Sequence, residues 1–126
     1  MGSRVRVPSG PQKPRRNPGL FRFMSFFTYI LYSSKLRRFY KGSCADVELR
    51  LARHNSGGEN ATAAGRPWRL IWFTEKESRS EAVKLELKLK NLSAIRLIQF
   101  IEKFQENVNP TEREFWAEIT SEGKSS

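Results

Sequence analysis

Two runs rich in aromatic and β-branched residues, "SFFTYILYS" and "RFYKGS", flank the turn-like "SKLR", and together they predict a β-hairpin. Side chains alternate between the two faces of a strand. With an even-length loop and no bulge, cross-strand partners sum to an odd number, as 29 and 40 do. Tyr29 and Tyr40 are therefore expected on one face with Phe27, Leu31 and Gly42. Thr28, Ile30, Tyr32, Phe39 and Lys41 take the other. Both faces are partly apolar, so each needs a covering layer.

Helical spacing follows. In "ADVELRLARHNSGG", Asp46 is placed to cap a helix that stops near Gly57 or Gly58. At about 100° per residue, Val47, Arg50, Leu51 and His54 fall within one arc. "NSGGENATAAGRP" reads as loop, and "PWRLIWFTE" as a third strand with Pro67 at its first position. "VKLELKLK" alternates like a half-buried strand, yet Ser78 and Glu81 form a capping-box pair ahead of it, and Lys, Leu and Glu favour helix. A helix there puts Ala82, Leu85, Leu89 and Leu92 on one stripe and sets Glu86 at its edge. "SAIRLIQFIEKF", capped by Ser93, is a clearer amphipathic helix. The acidic tail 106–126 includes "NPTEREFWAEI", enough for a short helix presenting Phe115, Trp116 and Ile119. The expected fold is α+β: one domain with a three-stranded antiparallel sheet flanked by helices.

Charge adds a partner class. The 126 residues hold 23 Lys and Arg against 13 Asp and Glu, a net +10. Residues 1–23 are basic, rich in Pro and Gly, and without period, which predicts a disordered leader. The expected natural start is Met24. The middle of the chain is basic too, so the field favours polyanions, nucleic acid before anionic membrane. Cys44 is the only cysteine, which excludes an intramolecular disulfide and a cysteine-built zinc site and fits a reducing, cytoplasmic setting. "FMSFFTYILY" is far short of the roughly 20 apolar residues a spanning helix needs.

Singly, the polar candidates have plain readings. Tyr29 and Tyr40 could be cross-strand packing, Arg50 a surface partner of Asp46 or Glu48, His54 a residue near a helix end, and Glu86 a surface acid paired with Lys90. Arg66, Trp68, Arg69 and Trp72 put cations and aromatics near one loop, which suits a nucleic-acid backbone; either Trp suits the core equally.

Their order along the chain changes the balance. Tyr29, Tyr40, Gly42, then Arg50 and His54 one turn apart, then Glu86 on a later helix, resembles the GIY-YIG nuclease superfamily, in particular its small stand-alone bacterial members. Thr28-Tyr29-Ile30 is taken as the first triplet, with Thr28 for its glycine. Tyr40-Lys41-Gly42 is taken as the second, with Lys41 for its apolar centre. "DVELRLARHNSG" and "RPWRLIWFTEKESRSEAVKLE" resemble the segments that follow, so the likeness spans about residues 25–104, inside a nuclease-like domain expected at 24–105.

The resemblance implies phosphodiester hydrolysis of nucleic acid, DNA before RNA, by an endonuclease of low sequence specificity. It implies one divalent ion, Mg²⁺ or Mn²⁺, held by Glu86 with water and phosphate, a sparse ligation that suits magnesium. Tyr29 would be the general base, its pKa lowered from about 10 by the metal and Arg50, with about 2.7 kcal/mol needed for two units. Tyr40 would orient the phosphate or the water, Arg50 would clamp the phosphate, and His54 would shuttle a proton. Lys41, Arg53, Arg66 and Arg69 are the expected nucleic-acid contacts, and a homodimer is compatible. Two other readings stand beside this one: a nucleic-acid-binding module without turnover, and a basic protein whose Phe115–Trp116 tail docks a partner.

Overall fold

The computed structural model describes residues 25–57, 60 and 62–125. The leader at 1–23, the start at Met24 and Gly58 lie outside them. Strands β1 (Phe26–Ser33), β2 (Arg38–Cys44) and β3 (Trp68–Lys76) form an antiparallel sheet in the order β2-β1-β3. The hairpin turns through residues 34–37 as expected. Arg37 sits in the left-handed region (φ 54°), and Ser33 Oγ accepts from the Leu36 amide.

The strand alternation holds between β1 and β2: Tyr29 lies opposite Gly42 and Leu31 opposite Tyr40. β3 departs from it. Its register against β1 shifts between Ile30 and Leu31, leaving Ile71 as an extra residue in the β3 run, a bulge that reverses side-chain parity. Trp68 and Leu70 consequently join Tyr29 and Leu31 on one face, while Ile71 and Trp72 join Ile30 on the other.

Helices α1 (Val47–Asn55), α2 (Arg79–Lys90), α3 (Ala94–Lys103) and α4 (Arg113–Ser125) complete the described fold. Asp46, Ser78 and Ser93 each accept an amide hydrogen bond at the starts of α1, α2 and α3. Each satisfies a donor that the first helical turn leaves unpaired. "VKLELKLK" is thus helical. α1 covers the tyrosine face through Val47. On the opposite face, Leu89 of α2, Leu97 and Ile101 of α3 and Trp116 of α4 pack with Ile30, Ile71 and Trp72.

The acidic segment after residue 105 packs more closely than its reading as a tail suggests. Val108 bridges to Trp72 along the outer edge of β3, the Asn109 amide donates to the Ile71 carbonyl (2.7 Å) and Asn109 Nδ2 to the Leu70 carbonyl (2.8 Å). Trp116 is then buried against Phe39, their ring centroids 6.3 Å apart.

Candidate active site

Four of the expected site residues converge on the face covered by α1. The hairpin sets the Tyr29 and Tyr40 rings 6.3 Å apart. α1 presents Arg50 and His54 one turn apart, and the His54 ring lies 4.9 Å from that of Tyr40. Tyr29 Oη and His54 Nε2 are within hydrogen-bond distance at 3.2 Å. Tyr29 is 1% exposed and His54 fully buried, so the pair lies in a low-dielectric setting.

Gly42 makes room for this pair. A Cβ built there would lie 2.6 Å from Tyr29 Oη and 2.7 Å from its Cζ, so the phenol lies directly across the glycine. Gly42→Ala is expected to cost about 1–3 kcal/mol through overpacking and to push the Tyr29 hydroxyl off His54. Thermal denaturation and the His54 ring resonances would register the two effects.

Burial pushes the Tyr29 phenol above the ordinary tyrosine range, and Tyr40 and Cys44 push the same way. Arg50 pulls downward without offsetting them. Arg50 therefore lowers the phenol as expected, and burial outweighs it. A phenol so placed keeps its proton unless a partner takes it, and His54 Nε2 is in position. Burial also pushes the Cys44 thiol up to about 11, as suits a packed, neutral side chain.

Glu86 comes from the other face. α2 packs on the Thr28 side of the sheet, where Thr28 Oγ1 donates to the Ala82 carbonyl (2.8 Å). From there the Glu86 side chain, 16% exposed, reaches β2, an edge strand. Ser43 Oγ donates to its Oε1 (2.7 Å) and Lys90 Nζ pairs with its Oε2 (2.8 Å). Its polar partners are therefore Ser43 and Lys90 instead of the phenols. The Glu86 hydrogen bond raises the Lys90 pKa most, and the charges of Glu86 and Tyr40 push the same way against burial. Lys41 is lowered, first by burial and then by Lys90.

The first triplet needs a correction. The family's name spells it with tyrosine last, so Tyr29 closes Phe27-Thr28-Tyr29, one residue upstream of the expected frame. Thr28 then fills the middle position, pointing at α2. Of the expected nucleic-acid contacts, Arg53 is exposed on α1. Arg66 is exposed, its Nε bound to the Ala63 carbonyl and its guanidinium beside Gly57. Arg69 lies on the opposite face, paired with Glu112 (2.8 Å) and over the Phe115 ring (4.0 Å). Trp68 and Trp72 are both core, their indole N–H groups held by the carbonyls of Thr62 and Phe104.

Two polar neighbours went unread in the sequence. Ser43 follows the motif glycine directly and could have been tried as a partner for Glu86. Thr62, whose Oγ1 is 2.8 Å from His54 Nδ1, sits in the loop before β3 with no spacing signal to mark it.

Glu86 is the candidate metal ligand. Among the described residues no group of three or more His, Cys, Asp or Glu could enclose a cation. Glu86 offers two hard oxygen donors, each with a lone pair beyond its present bond. That set fits a magnesium-type ion held by one carboxylate and water, and does not fit a closed zinc centre.

The family model described as the GIY-YIG catalytic domain matches residues 25–99. A UPF0213 protein of Syntrophus aciditrophicus is 32% identical over 84 residues, 65% of this chain and 95% of the relative. One from Cupriavidus pinatubonensis is 35% identical over 68 residues, 53% and 76% of the two chains. The solution NMR structure of a UPF0213 protein from Bacillus halodurans is 31% identical and covers 63% of this chain and 84% of its own, with a TM-score of 0.43.

Proposed function

This chain belongs to the GIY-YIG catalytic domain family, and on that premise we propose that it is a divalent-metal-dependent endonuclease hydrolysing phosphodiester bonds in nucleic acid, DNA in preference to RNA, in the cytoplasm. The observation that carries the reading is the buried Tyr29–His54 pair, with the Arg50 charge pulling the same phenol downward. A buried packing tyrosine needs one acceptor for its hydroxyl, but not an imidazole with a guanidinium beside it. A general base needs a route for its proton and a cation beside the developing charge.

The roles follow from the chemistry of each group. Tyr29 takes a proton from the attacking water while its own hydroxyl proton passes to His54 Nε2. Arg50, with donors only, stabilises negative charge at the phenol oxygen or the phosphate. Tyr40, beside both rings, orients the water or a phosphate oxygen. Glu86, held by Ser43, would carry the metal. A bound divalent ion supplies charge neutralisation at the phosphate and help for the leaving oxygen. Arg53, Arg66 and Lys41 add cationic contacts to the net +10 that draws a polyanion.

One observation favours the rival reading of a binding module without turnover: Lys90 already neutralises Glu86. A panel of linear, branched and nicked DNA substrates, assayed with magnesium and with a chelator, separates the two. The nuclease reading expects cleavage with magnesium alone, and Glu86→Gln is expected to reduce it to the chelated rate while DNA binding persists. DNA binding without metal-dependent cleavage of any substrate would end it.

A further inference from the structure

His54 is the sequence's only histidine, and its ring spans two buried hydroxyls. Nε2 lies 3.2 Å from Tyr29 Oη and Nδ1 lies 2.8 Å from Thr62 Oγ1. A neutral imidazole has one donor and one acceptor, and the hydrogen bond at one nitrogen sets the role of the other. Tyr29 decides the direction. A buried neutral phenol has a proton that must be donated, and Arg50, with donors only, cannot take it. The phenol then has its own proton to give, and His54 Nε2 is the nitrogen within reach. Nδ1 keeps the ring proton and donates it to Thr62 Oγ1.

Thr62 is well anchored for this task. It is 2% exposed, and its carbonyl accepts from Trp68 Nε1 at 2.7 Å. The Trp68 backbone is clamped in turn by both ends of the Asn55 side chain, at 2.6 and 3.1 Å. The loop, the start of β3 and the end of α1 are thereby tied together around the ring.

We propose that Thr62 is a positioning residue, which accepts the Nδ1 proton and so holds His54 in the tautomer whose Nε2 lone pair faces Tyr29. The inference rests on the nuclease reading for its purpose, although the tautomer itself does not. In the proton step, a water O–H bond breaks and its proton joins the Tyr29 oxygen, while the phenol's original proton moves to Nε2. The hydroxide oxygen bonds to phosphorus as the ester P–O bond breaks. The leaving oxygen takes a proton from solvent, and the imidazolium returns its extra proton to solvent through Tyr29. Without Thr62 the ring could place its proton on Nε2, and the phenol would face a donor.

Because the chain has one imidazole, a long-range ¹H–¹⁵N spectrum of the full ¹⁵N-labelled protein reads this ring without ambiguity. The Nδ1–H form is expected in the unsubstituted chain and in Thr62→Ser. Thr62→Val, near in shape and lacking the hydroxyl, is expected to show a substantial Nε2–H population. In a cleavage assay kcat should fall about tenfold in Thr62→Val, part of a general base's usual contribution, with KM unchanged and Thr62→Ser restoring the rate. An Nε2–H form in the unsubstituted chain overturns the proposal, even if Thr62→Val does not fold. So does a Thr62→Val ring that keeps the original form. The spectrum decides the point whether or not DNA is cleaved, so failure of the nuclease reading would be seen separately.

Discussion

Tyr29→Phe is expected to give a folded protein that cleaves DNA about a thousandfold more slowly, within the range ascribed to a positioned general base. The substitution removes one oxygen and leaves the ring packed between β1, β2 and α1. Its effect should therefore fall on chemistry more than on architecture. What disappears is the hydroxyl that meets His54 beside the Arg50 charge. The fully buried His54 would lose its contact with the Tyr29 hydroxyl, at a cost of about 1–3 kcal/mol. Single-turnover cleavage at saturating magnesium, beside a thermal melt of the same sample, separates the two losses. A Tyr29→Phe chain that cleaves within tenfold of the parent would make Tyr29 a packing aromatic, and the nuclease reading would lose its base. DNA affinity should change little, since the phenol's role is to take a proton from the attacking water and the cationic side chains grip the backbone.

Trp116→Ala carries the largest expected loss of stability. Truncating a buried Trp costs about 3–5 kcal/mol, and the lower end applies because its indole N–H is buried without an acceptor, a penalty that truncation removes. Small domains have only about 5–15 kcal/mol in hand, so urea denaturation should show a much earlier midpoint. The reason is architectural. Trp116 sits with Ile71, Trp72 and Val108, and the segment bearing it closes the free edge of β3 through Val108 and Asn109. If 106–126 were a detachable tail, the midpoint would not move. The same packing weakens the idea of a partner-docking tail, because Trp116 is 5% exposed and Phe115 is half-buried with Arg69 over its ring.

What could be read from the chain alone was local or periodic. The caps at Asp46, Ser78 and Ser93 act within a few residues, so each helix start was legible. In "VKLELKLK" the cap and the residue propensities decided against the alternation. The faces of Tyr29 and Tyr40 followed from strand parity across a four-residue turn, and the neighbourhood of Arg50 and His54 from one turn of helix. Tertiary structure decided the remainder. The bulge at Ile71 reverses parity in β3, and no residue type there announces it. It places Trp68 and Trp72 on opposite faces and carries Arg69 away from the tyrosines. Burial sets the proton affinity of Tyr29, and burial is a sum over α1, both neighbouring strands and the packed rings. Thr62 meets His54, and Ser43 meets Glu86, only because separate elements fold against each other. Backbone geometry repeats every two or 3.6 residues and is written in adjacent positions; contacts between elements depend on many small packing choices at once, and those become visible only in the assembled fold.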